Sequence, residues 1–215
     1  MRLSRLVSNL CDYEIAYTGK SWEREIGELC ADSRQVKSET LFFCLTGGNL
    51  DGHTYAEEAV KQGAVALVVE KKLPLEVPQL LVRDTREALA LLASAFYGFP
   101  SERLKIVGIT GTNGKTTTAH MLASVLEKSG RKTGVIGTLG VRYGERQLSS
   151  ELTTPDPIAL QRTFAEMLAY GMEYAVMEVS AHALYYKKTA GVRFVACIFT
   201  NFTQDHLDFF ASMGE

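Results

Sequence analysis

Short apolar runs alternate with amphipathic stretches over most of the chain. An apolar run of about four to eight residues is typical of a buried strand, and apolar residues spaced three and four apart are typical of a helix. One helix has a clear start, because Asp84 and Glu87 have the spacing of a capping box. In the first part of the chain the pattern predicts strands at 41–45, 64–69 and 79–82 and helices at 55–62 and 84–98, which together form a small α/β domain.

The alternation continues in the second part of the chain, over a larger set of elements. It predicts strands at 105–110, 133–139, 174–179 and 194–200 and helices at 116–129, 157–170 and 182–189. Strands that alternate with helices form a parallel sheet with helices on both faces. Residues 99–104 (FPSERL) read as a linker. We therefore predict two α/β domains, 1–98 and 105–215.

Residues 111–118, with the sequence GTNGKTTT, connect a predicted strand to a predicted helix. In this setting glycines let backbone N–H groups face phosphate oxygens, a lysine adds a point charge, and a threonine hydroxyl can hold Mg²⁺. The full pattern G-x-x-x-x-G-K-[ST] is not met, because Ile109 stands where its first glycine would fall. The core GTNGKT still predicts a P-loop-type domain that binds a nucleoside triphosphate through Gly111, Thr112, Asn113, Gly114, Lys115, Thr116 and Thr117.

Ligands of parallel sheets collect at the carboxyl ends of the strands. Glu178 ends an apolar strand and is the first candidate ligand for a phosphate-bound Mg²⁺, although a glutamate at a strand end can also be merely solvated. His206 is the second candidate, and its alternative is a surface ion pair with Asp205. The residues predicted to share this edge of the sheet are 110–116, Thr138, 178–182 and 200–206.

Two further groups could contact an anionic substrate. Residues 153–157 (TTPDP) provide two hydroxyls beside a rigid turn, which could bind a carboxylate or a phosphate, but the start of a helix explains the same residues equally well. Lys187, Lys188 and Arg193 form a small basic group, whose alternative interpretation is a solvated helix end.

Composition and charge narrow the class of protein. The 215 residues are 46% hydrophobic, which supports a globular core, and a formal net charge of -2 offers no basic surface to nucleic acid or to an anionic membrane. The first residues mix arginine and serine into the apolar positions, so no signal-peptide core is present, and no apolar run approaches the length of a membrane span. We therefore expect a cytoplasmic protein with no nucleic-acid or membrane partner.

Four motifs together resemble those of the Mur ligases of bacterial cell-wall synthesis, in order and in spacing. They are residues 111–118, 152–157 (LTTPDP), 177–184 (MEVSAHAL) and 200–208 (TNFTQDHLD). In the first domain, residues 32–34 (DSR), 41–42 (LF) and 51–53 (DGH) are similar to the UDP-recognition domain of the family. The resemblance covers essentially the whole chain and points to the branch that adds the third residue of the peptide.

The resemblance implies an ATP-dependent ligase of peptidoglycan biosynthesis that works through an acyl phosphate on UDP-MurNAc-L-Ala-D-Glu. The incoming amino acid would be diaminopimelate or lysine, and the cofactors ATP and Mg²⁺. By their match to the family, the implied catalytic residues are Lys115, Glu178 and His206, and the implied metal ligands are Thr116, Glu178 and His206. The implied substrate residues are Ser33, Gly48, Asn49, Leu50, Thr153, Thr154, Ser180 and Lys188.

The chain departs from the family pattern at three positions. Ala181 replaces a second serine, Lys188 replaces an arginine, and Phe210 replaces a histidine. Lysine cannot form the planar two-point grip of arginine on a carboxylate. The chain also stops at Glu215, before the lysine that is carbamylated in the family and before its third domain. We therefore expect a monomeric fragment, or a truncated gene product, that does not ligate alone.

Two other functions remain open on the sequence. The chain could be a non-catalytic module that binds a nucleotide or a UDP-sugar and derives from such a ligase. It could also belong to another ligase of the superfamily, such as a folate polyglutamylating enzyme, although residues 153–155 (TTP) and the first domain disfavour this.

Overall fold

The chain folds into two compact α/β units. The computed structural model describes residues 1–10, 12–17, 23–47, 50–150 and 152–203. The first unit contains Met1–Phe99 together with Thr189–Gly191, and the second contains Pro100–Lys188 and the described residues from Val192 onward. The sequence had assigned Thr189–Gly191 to the second domain. No helix in the described part of the chain combines the length and the apolar character needed to cross a bilayer.

A mostly parallel sheet forms the centre of the first unit. In chain order the described elements are α1 (Leu3–Val7), β1 (Glu14–Tyr17), β2 (Glu28–Cys30), β3 (Thr40–Phe43), α2 (Ala56–Gln62), β4 (Ala64–Val69), β5 (Gln79–Leu81) and α3 (Thr85–Phe96). The strand order is β1-β5-β4-β3-β2, with β1 antiparallel to β5 and the other neighbours parallel. All four residues of β3 are buried, as expected for a strand covered on both faces.

The start of α3 confirms the predicted helix cap. One carboxylate oxygen of Asp84 accepts hydrogen bonds from the backbone N–H groups of Arg86 and Glu87, at 2.8 and 3.0 Å. These bonds satisfy two of the N–H groups that have no partner in the first turn of a helix.

A second, larger sheet forms the centre of the second unit. Its described elements are β6 (Lys105–Thr110), α4 (Lys115–Lys128), β7 (Thr133–Gly137), β8 (Gly140–Tyr143), β9 (Arg146–Leu148), α5 (Pro157–Ala169), β10 (Tyr174–Glu178), α6 (Ala181–Tyr185) and β11 (Phe194–Phe199). The strand order is β11-β6-β10-β7-β8-β9. The first four of these strands are parallel, and β8 and β9 form an antiparallel hairpin.

Successive residues of the central strands face opposite helices. Ile136 and Met177 pack in a core with Phe164 of α5. Val135 and Val176, one position earlier in each strand, pack in a core with α4 on the other face. This alternation explains why β7 and β10 read as continuous apolar runs, as strands buried on both faces do.

The structure differs from the sequence prediction in both units. In the first unit, α1, β1 and β2 were not predicted. The strand predicted at 133–139 ends at Gly137, and the hairpin of β8 and β9 that follows was not predicted. The helix predicted at 182–189 ends at Tyr185. Along the edge strand β11, Val195 and Phe199 are 57% and 63% exposed, so helices do not cover the described sheet fully on both faces.

The register of the parallel strands brings their carboxyl ends to one edge. Glu178 pairs with Ile109 of β6, and Met177 pairs with Ile136 of β7. Thr200, directly after β11, donates its backbone N–H to Thr110. The predicted common edge is therefore confirmed for its described residues, and it carries the candidate site.

Candidate functional site

The phosphate loop between β6 and α4 depends on two glycines. Gly114 caps α4 with a φ of 82°, in the left-handed region that favours glycine. Gly111 has a φ of 128°, and a Cβ there would meet the Thr200 hydroxyl and, at 2.8 Å, the carbonyl oxygen of Asn201. The loop can therefore approach the segment after β11 only because residue 111 has no side chain.

The segment after β11 holds the loop in shape. The Asn201 amide accepts from the backbone N–H of Asn113 and donates to its carbonyl oxygen, both at 3.0 Å. The hydroxyl of Thr200 donates to the same carbonyl at 2.7 Å. The hydroxyl of Thr112 donates to the carbonyl of Thr203 and accepts from its N–H, each at 3.0 Å. The two segments were predicted to share this edge of the sheet, but their individual hydrogen bonds join residues about ninety positions apart and could not be predicted.

Lys115 folds back over the loop. Its ammonium donates to the carbonyl oxygens of Gly111 at 2.6 Å and of Thr112 at 2.9 Å. The positive charge is thus already held beside the backbone N–H groups that would receive a phosphate.

The Glu178 carboxylate is buried at the centre of the site, with 1% of the residue exposed. One oxygen accepts from the Thr116 hydroxyl at 2.8 Å and from the Thr138 hydroxyl at 3.2 Å. The other accepts from the backbone N–H of Thr138 at 2.9 Å. Gly137 makes room for it, since a Cβ there would overlap the carboxylate. The solvated alternative for Glu178 is therefore excluded.

This arrangement has the chemistry of a magnesium site. Carboxylate and hydroxyl oxygens are the hard ligands that Mg²⁺ prefers, and Mg²⁺ usually retains several waters and phosphate oxygens as further ligands. Glu178 makes no ion pair with any described residue. Within the described part of the chain, its buried charge is compensated only by the hydrogen bonds from Thr116 and Thr138. No cluster of three or more His, Cys, Asp or Glu side chains suited to a metal occurs in the described residues. The residues fit a metal held jointly with a phosphate, through Thr116 and Glu178.

The other side of the site is formed by the TTP segment and α6. Thr154 is buried, and its hydroxyl donates to the carbonyl of Glu178 at 3.0 Å and accepts from the N–H of Ser180 at 3.1 Å. The ammonium of Lys188 donates to the carbonyl of Thr154 at 3.1 Å, and burial lowers the pKa of this lysine from its ordinary value. Thr153 lies closer to the surface, with its hydroxyl 3.2 Å from that of Thr138.

The phosphate loop, Glu178 and the TTP segment line one cleft of about 600 Å³ in the second unit. It joins the phosphate loop to the TTP segment, with Glu178 between them. The cleft is lined by Thr112, Asn113, Gly114, Lys115, Thr116, Thr117, Thr138, Leu152, Thr153, Thr154, Glu178, Ser180, His182 and Lys188.

Most of the candidate residues in the second domain therefore meet in one place. Gly111 shapes the loop without lining the cleft. His206, with Asp205 and Phe210, lies outside the described residues, as do Gly48 and Asn49 of the first domain.

Ser33 and Leu50 lie in the loops that follow β2 and β3, at the carboxyl edge of the first sheet. Leu50 is 64% exposed, and Ser33 begins a short 3-10 helix capped by Asp32. A hydrogen bond of 2.7 Å from the N–H of Gly47 to the carbonyl of Leu50 closes the turn that contains Leu50. Both candidates are thus available at one edge of this sheet.

Asp51, His53, Glu70 and Lys71 form a hydrogen-bonded network at the end of that turn. Asp51 faces Nδ1 of the buried His53 at 2.6 Å, while Nε2 of the ring accepts from the N–H of Glu70 at 2.9 Å. Nδ1 therefore carries the proton, and its N–H donates a hydrogen bond to the Asp51 carboxylate. A hydrogen bond from Lys71, and further bonds from His53, hold the pKa of the Asp51 carboxyl below its ordinary value.

Gly137 and Leu152 had no assigned role from the sequence, and Thr138, His182 and Asn201 were named only as residues of the common edge. A glycine and a threonine directly after an apolar strand are a weak signal for Gly137 and Thr138. Leu152, His182 and Asn201 lie in the motifs at 152–157, 177–184 and 200–208, and those motifs are the signal that could have identified them.

Two family models match the chain. The Mur ligase middle domain matches residues 109–215, and the Mur ligase family catalytic domain matches residues 25–97. A relative from Geobacillus kaustophilus (strain HTA426), named UDP-N-acetylmuramoyl-L-alanyl-D-glutamate–2,6-diaminopimelate ligase, is 46% identical over all 215 residues. The chain spans 43% of the length of that relative.

Solved structures of the same group share the fold. A UDP-N-acetylmuramoyl-L-alanyl-D-glutamate–2,6-diaminopimelate ligase superposes with a TM-score of 0.79 and 25% identity, over 96% of this chain and 42% of that one. A MurF ligase from Thermotoga maritima, solved in complex with ADP, gives a TM-score of 0.58 and 24% identity over 92% of this chain and 42% of that one, which shows the fold alone. With both of its units matched by models of one family, this chain belongs to the Mur ligases.

Proposed function

We propose that this chain provides the nucleotide site and the UDP-substrate site of an ATP-dependent ligase that adds the third amino acid to UDP-MurNAc-L-Ala-D-Glu. The observation that carries the proposal is the single cleft in which the phosphate loop, Glu178 and Thr153 meet. Phosphoryl transfer to a carboxylate requires both reactants to be aligned in one site. The name of the Geobacillus relative favours diaminopimelate over lysine as the amino acid.

The phosphate loop would hold ATP. Its backbone N–H groups and the N-terminus of α4 attract the phosphates. Lys115 would exchange the carbonyls of Gly111 and Thr112 for phosphate oxygens. Thr116 and Glu178 would hold Mg²⁺, which neutralises the charge of the phosphates during transfer.

The TTP side of the cleft would hold the acceptor. A carboxylate oxygen of the substrate attacks the γ-phosphorus, the bond to the bridging oxygen breaks, and ADP leaves. The amine of the amino acid then attacks the acyl carbon, loses a proton and displaces phosphate. Lys188 is the described cation nearest to this side of the cleft, where its charge would attract the substrate carboxylate. An ammonium group does not form the planar two-point contact of an arginine with a carboxylate. Other groups must therefore fix the plane of the substrate carboxylate.

Residues 1–98 would bind the UDP portion through Ser33 and the turn that contains Leu50, and residues 105–215 would bind ATP. The protein would act in the cytoplasm as a monomer, and His206 would serve a second metal.

Calorimetric titration of the chain with ATP and Mg²⁺, and separately with UDP-MurNAc-L-Ala-D-Glu, tests the proposal. We expect binding of both ligands, and weaker binding of UDP-GlcNAc than of the muramoyl dipeptide. Lys115→Met should weaken ATP binding at least about tenfold, as loss of a charged hydrogen-bond donor does. Lys128→Met is the matched control, because Lys128 is exposed at the other end of α4. Absence of ATP binding, or equal affinity for the two UDP-sugars, would overturn the proposal.

A further inference from the structure

Thr138 contacts both oxygens of the Glu178 carboxylate. Its backbone N–H reaches one oxygen at 2.9 Å, and its hydroxyl reaches the other at 3.2 Å. We propose that Thr138 is a positioning residue, which fixes the carboxylate of Glu178 in the plane that receives Mg²⁺ and links it to Thr153 on the acceptor side. This inference rests on the proposed nucleotide site, and it gives a role to a residue that the sequence had left without one.

The strand order places Thr138 where this role is possible. β7 and β10 are parallel neighbours, and Thr138 follows β7 at the level where Glu178 ends β10. Gly137 has no Cβ to obstruct the carboxylate. The threonine can therefore use its main chain and its side chain on the same partner.

The direction of the hydrogen bonds follows from the chemistry of the groups. An ionised carboxylate only accepts, so the hydroxyl proton of Thr138 is directed to Glu178. A hydroxyl has one proton, and in the 3.2 Å contact with Thr153 the donor must then be Thr153. The result is a directed chain from Thr153 through Thr138 to Glu178.

Thr116 cannot replace Thr138 in this role. Its hydroxyl also bonds Glu178, at 2.8 Å, but it lies on the phosphate loop and is itself a proposed ligand of the metal. Thr138 directly follows β7, which pairs with the strand that carries Glu178, and it is not itself a proposed ligand of the metal. Partners of this kind typically change metal affinity by about 10- to 100-fold when they are removed.

The test compares ATP affinity of the chain in Mg²⁺ with that in EDTA, by calorimetry, for three variants. Thr138→Val keeps the backbone bond and loses the hydroxyl, and we expect the enhancement of ATP binding by Mg²⁺ to fall about tenfold while affinity in EDTA is unchanged. Thr138→Ser keeps the hydroxyl and should behave as wild type. Thr133→Val is the control: Thr133 is buried at the other end of β7, and its hydroxyl donates to a backbone carbonyl at 3.1 Å, away from the cleft.

The outcomes separate this inference from the proposed function. Equal Mg²⁺ enhancement in wild type and Thr138→Val overturns the role of Thr138 alone. Equal weakening of ATP binding in Mg²⁺ and in EDTA, or no rescue by serine, shows a structural role and also overturns it. A wild-type chain that binds ATP equally with and without Mg²⁺ overturns the metal role of Glu178, and the inference with it.

Discussion

The replacement Gly137→Ala tests whether the space around Glu178 is needed for the metal. A Cβ at position 137 would lie 2.7 Å from Cδ and 2.9 Å from Cγ of Glu178, and closer still to one carboxylate oxygen. Gly137 does not have a left-handed φ, so alanine is not strained in its backbone. The three atoms nearest to the added Cβ all belong to Glu178, so the effect on the site comes from displacement of its side chain.

The size of the displacement follows from these distances. Ordinary contact with a Cβ begins at 3.4 Å, so Cδ must retreat by about 0.7 Å from its 2.7 Å separation. A shift of about 0.7 Å is enough to lengthen the 2.8 Å bond from Thr116 to about 3.5 Å, near the limit of hydrogen bonding. We expect the Mg²⁺-dependent part of ATP affinity to fall about 10- to 100-fold, or by about 1.4 to 2.7 kcal/mol.

Gly134→Ala is the matched control on the same strand. A Cβ there would meet the terminal Cε and Sδ of Met167, at 2.7 and 2.9 Å. A methionine end can move aside, so the control should lose about 1 kcal/mol of unfolding free energy and keep its ATP affinity. Calorimetry with Mg²⁺ and with EDTA, together with urea denaturation, measures both quantities. If the ATP affinity of Gly137→Ala depended on Mg²⁺ as that of wild type does, the absence of a side chain at position 137 would not be needed for Glu178 to hold the metal.

Three further predictions concern the first unit and the acceptor side. His53→Ala leaves the N–H of Glu70 without its acceptor beside a new cavity, so urea denaturation should show a loss of about 2 to 4 kcal/mol; a loss below about 0.5 kcal/mol would contradict the network. Asp51→Asn should be less stable than wild type at pH 7, because the carboxyl pKa is lowered in the folded state by Lys71 and His53. A carboxyl group whose pKa is lowered by folding stabilises the protein fully above its unfolded pKa of about 3.9, and this stabilisation is lost as the pH falls towards the folded pKa. The difference in unfolding free energy between wild type and Asp51→Asn should therefore shrink below about pH 4, and a constant difference from pH 7 to pH 3 would refute this. Lys188→Ala should weaken binding of UDP-MurNAc-L-Ala-D-Glu about tenfold and leave ATP binding unchanged in calorimetry; equal loss for both ligands would show a structural defect.

The features that the sequence predicted well are local ones. The phosphate loop, the cap at Asp84 and the strand 64–69 each depend on residues within a few positions of one another. Asp156 caps α5 by accepting from the N–H groups of Ile158 and Ala159, as its place before Pro157 indicated. Such signals come from the preferences of individual residue types for particular backbone conformations, and these preferences can be read from a single sequence.

The hairpin of β8 and β9 was missed for a physical reason. Its strands are four and three residues long, and all three residues of β9 are exposed. Gly140 and Gly144, with φ values of 97° and 55°, make its turns possible but read in the sequence only as breaks. A strand of three or four residues is too short to show the apolar periodicity on which strand prediction depends, and β9 in addition buries none of its residues.

The burial of Glu178 could not be predicted from the sequence, because it depends on contacts made at long range. The residues that surround its carboxylate, Thr116 and Thr138, lie 62 and 40 positions away. A carboxylate that is merely solvated needs no buried donors and no glycine beside it. Burial of a charge costs several kcal/mol unless it is paired, and hydrogen bonds offset only part of that cost. Since three donors orient the carboxylate and no described cation pairs with it, the surroundings of Glu178 favour a function over a structural role, and a cation bound with the phosphates is the partner that its position beside the loop favours.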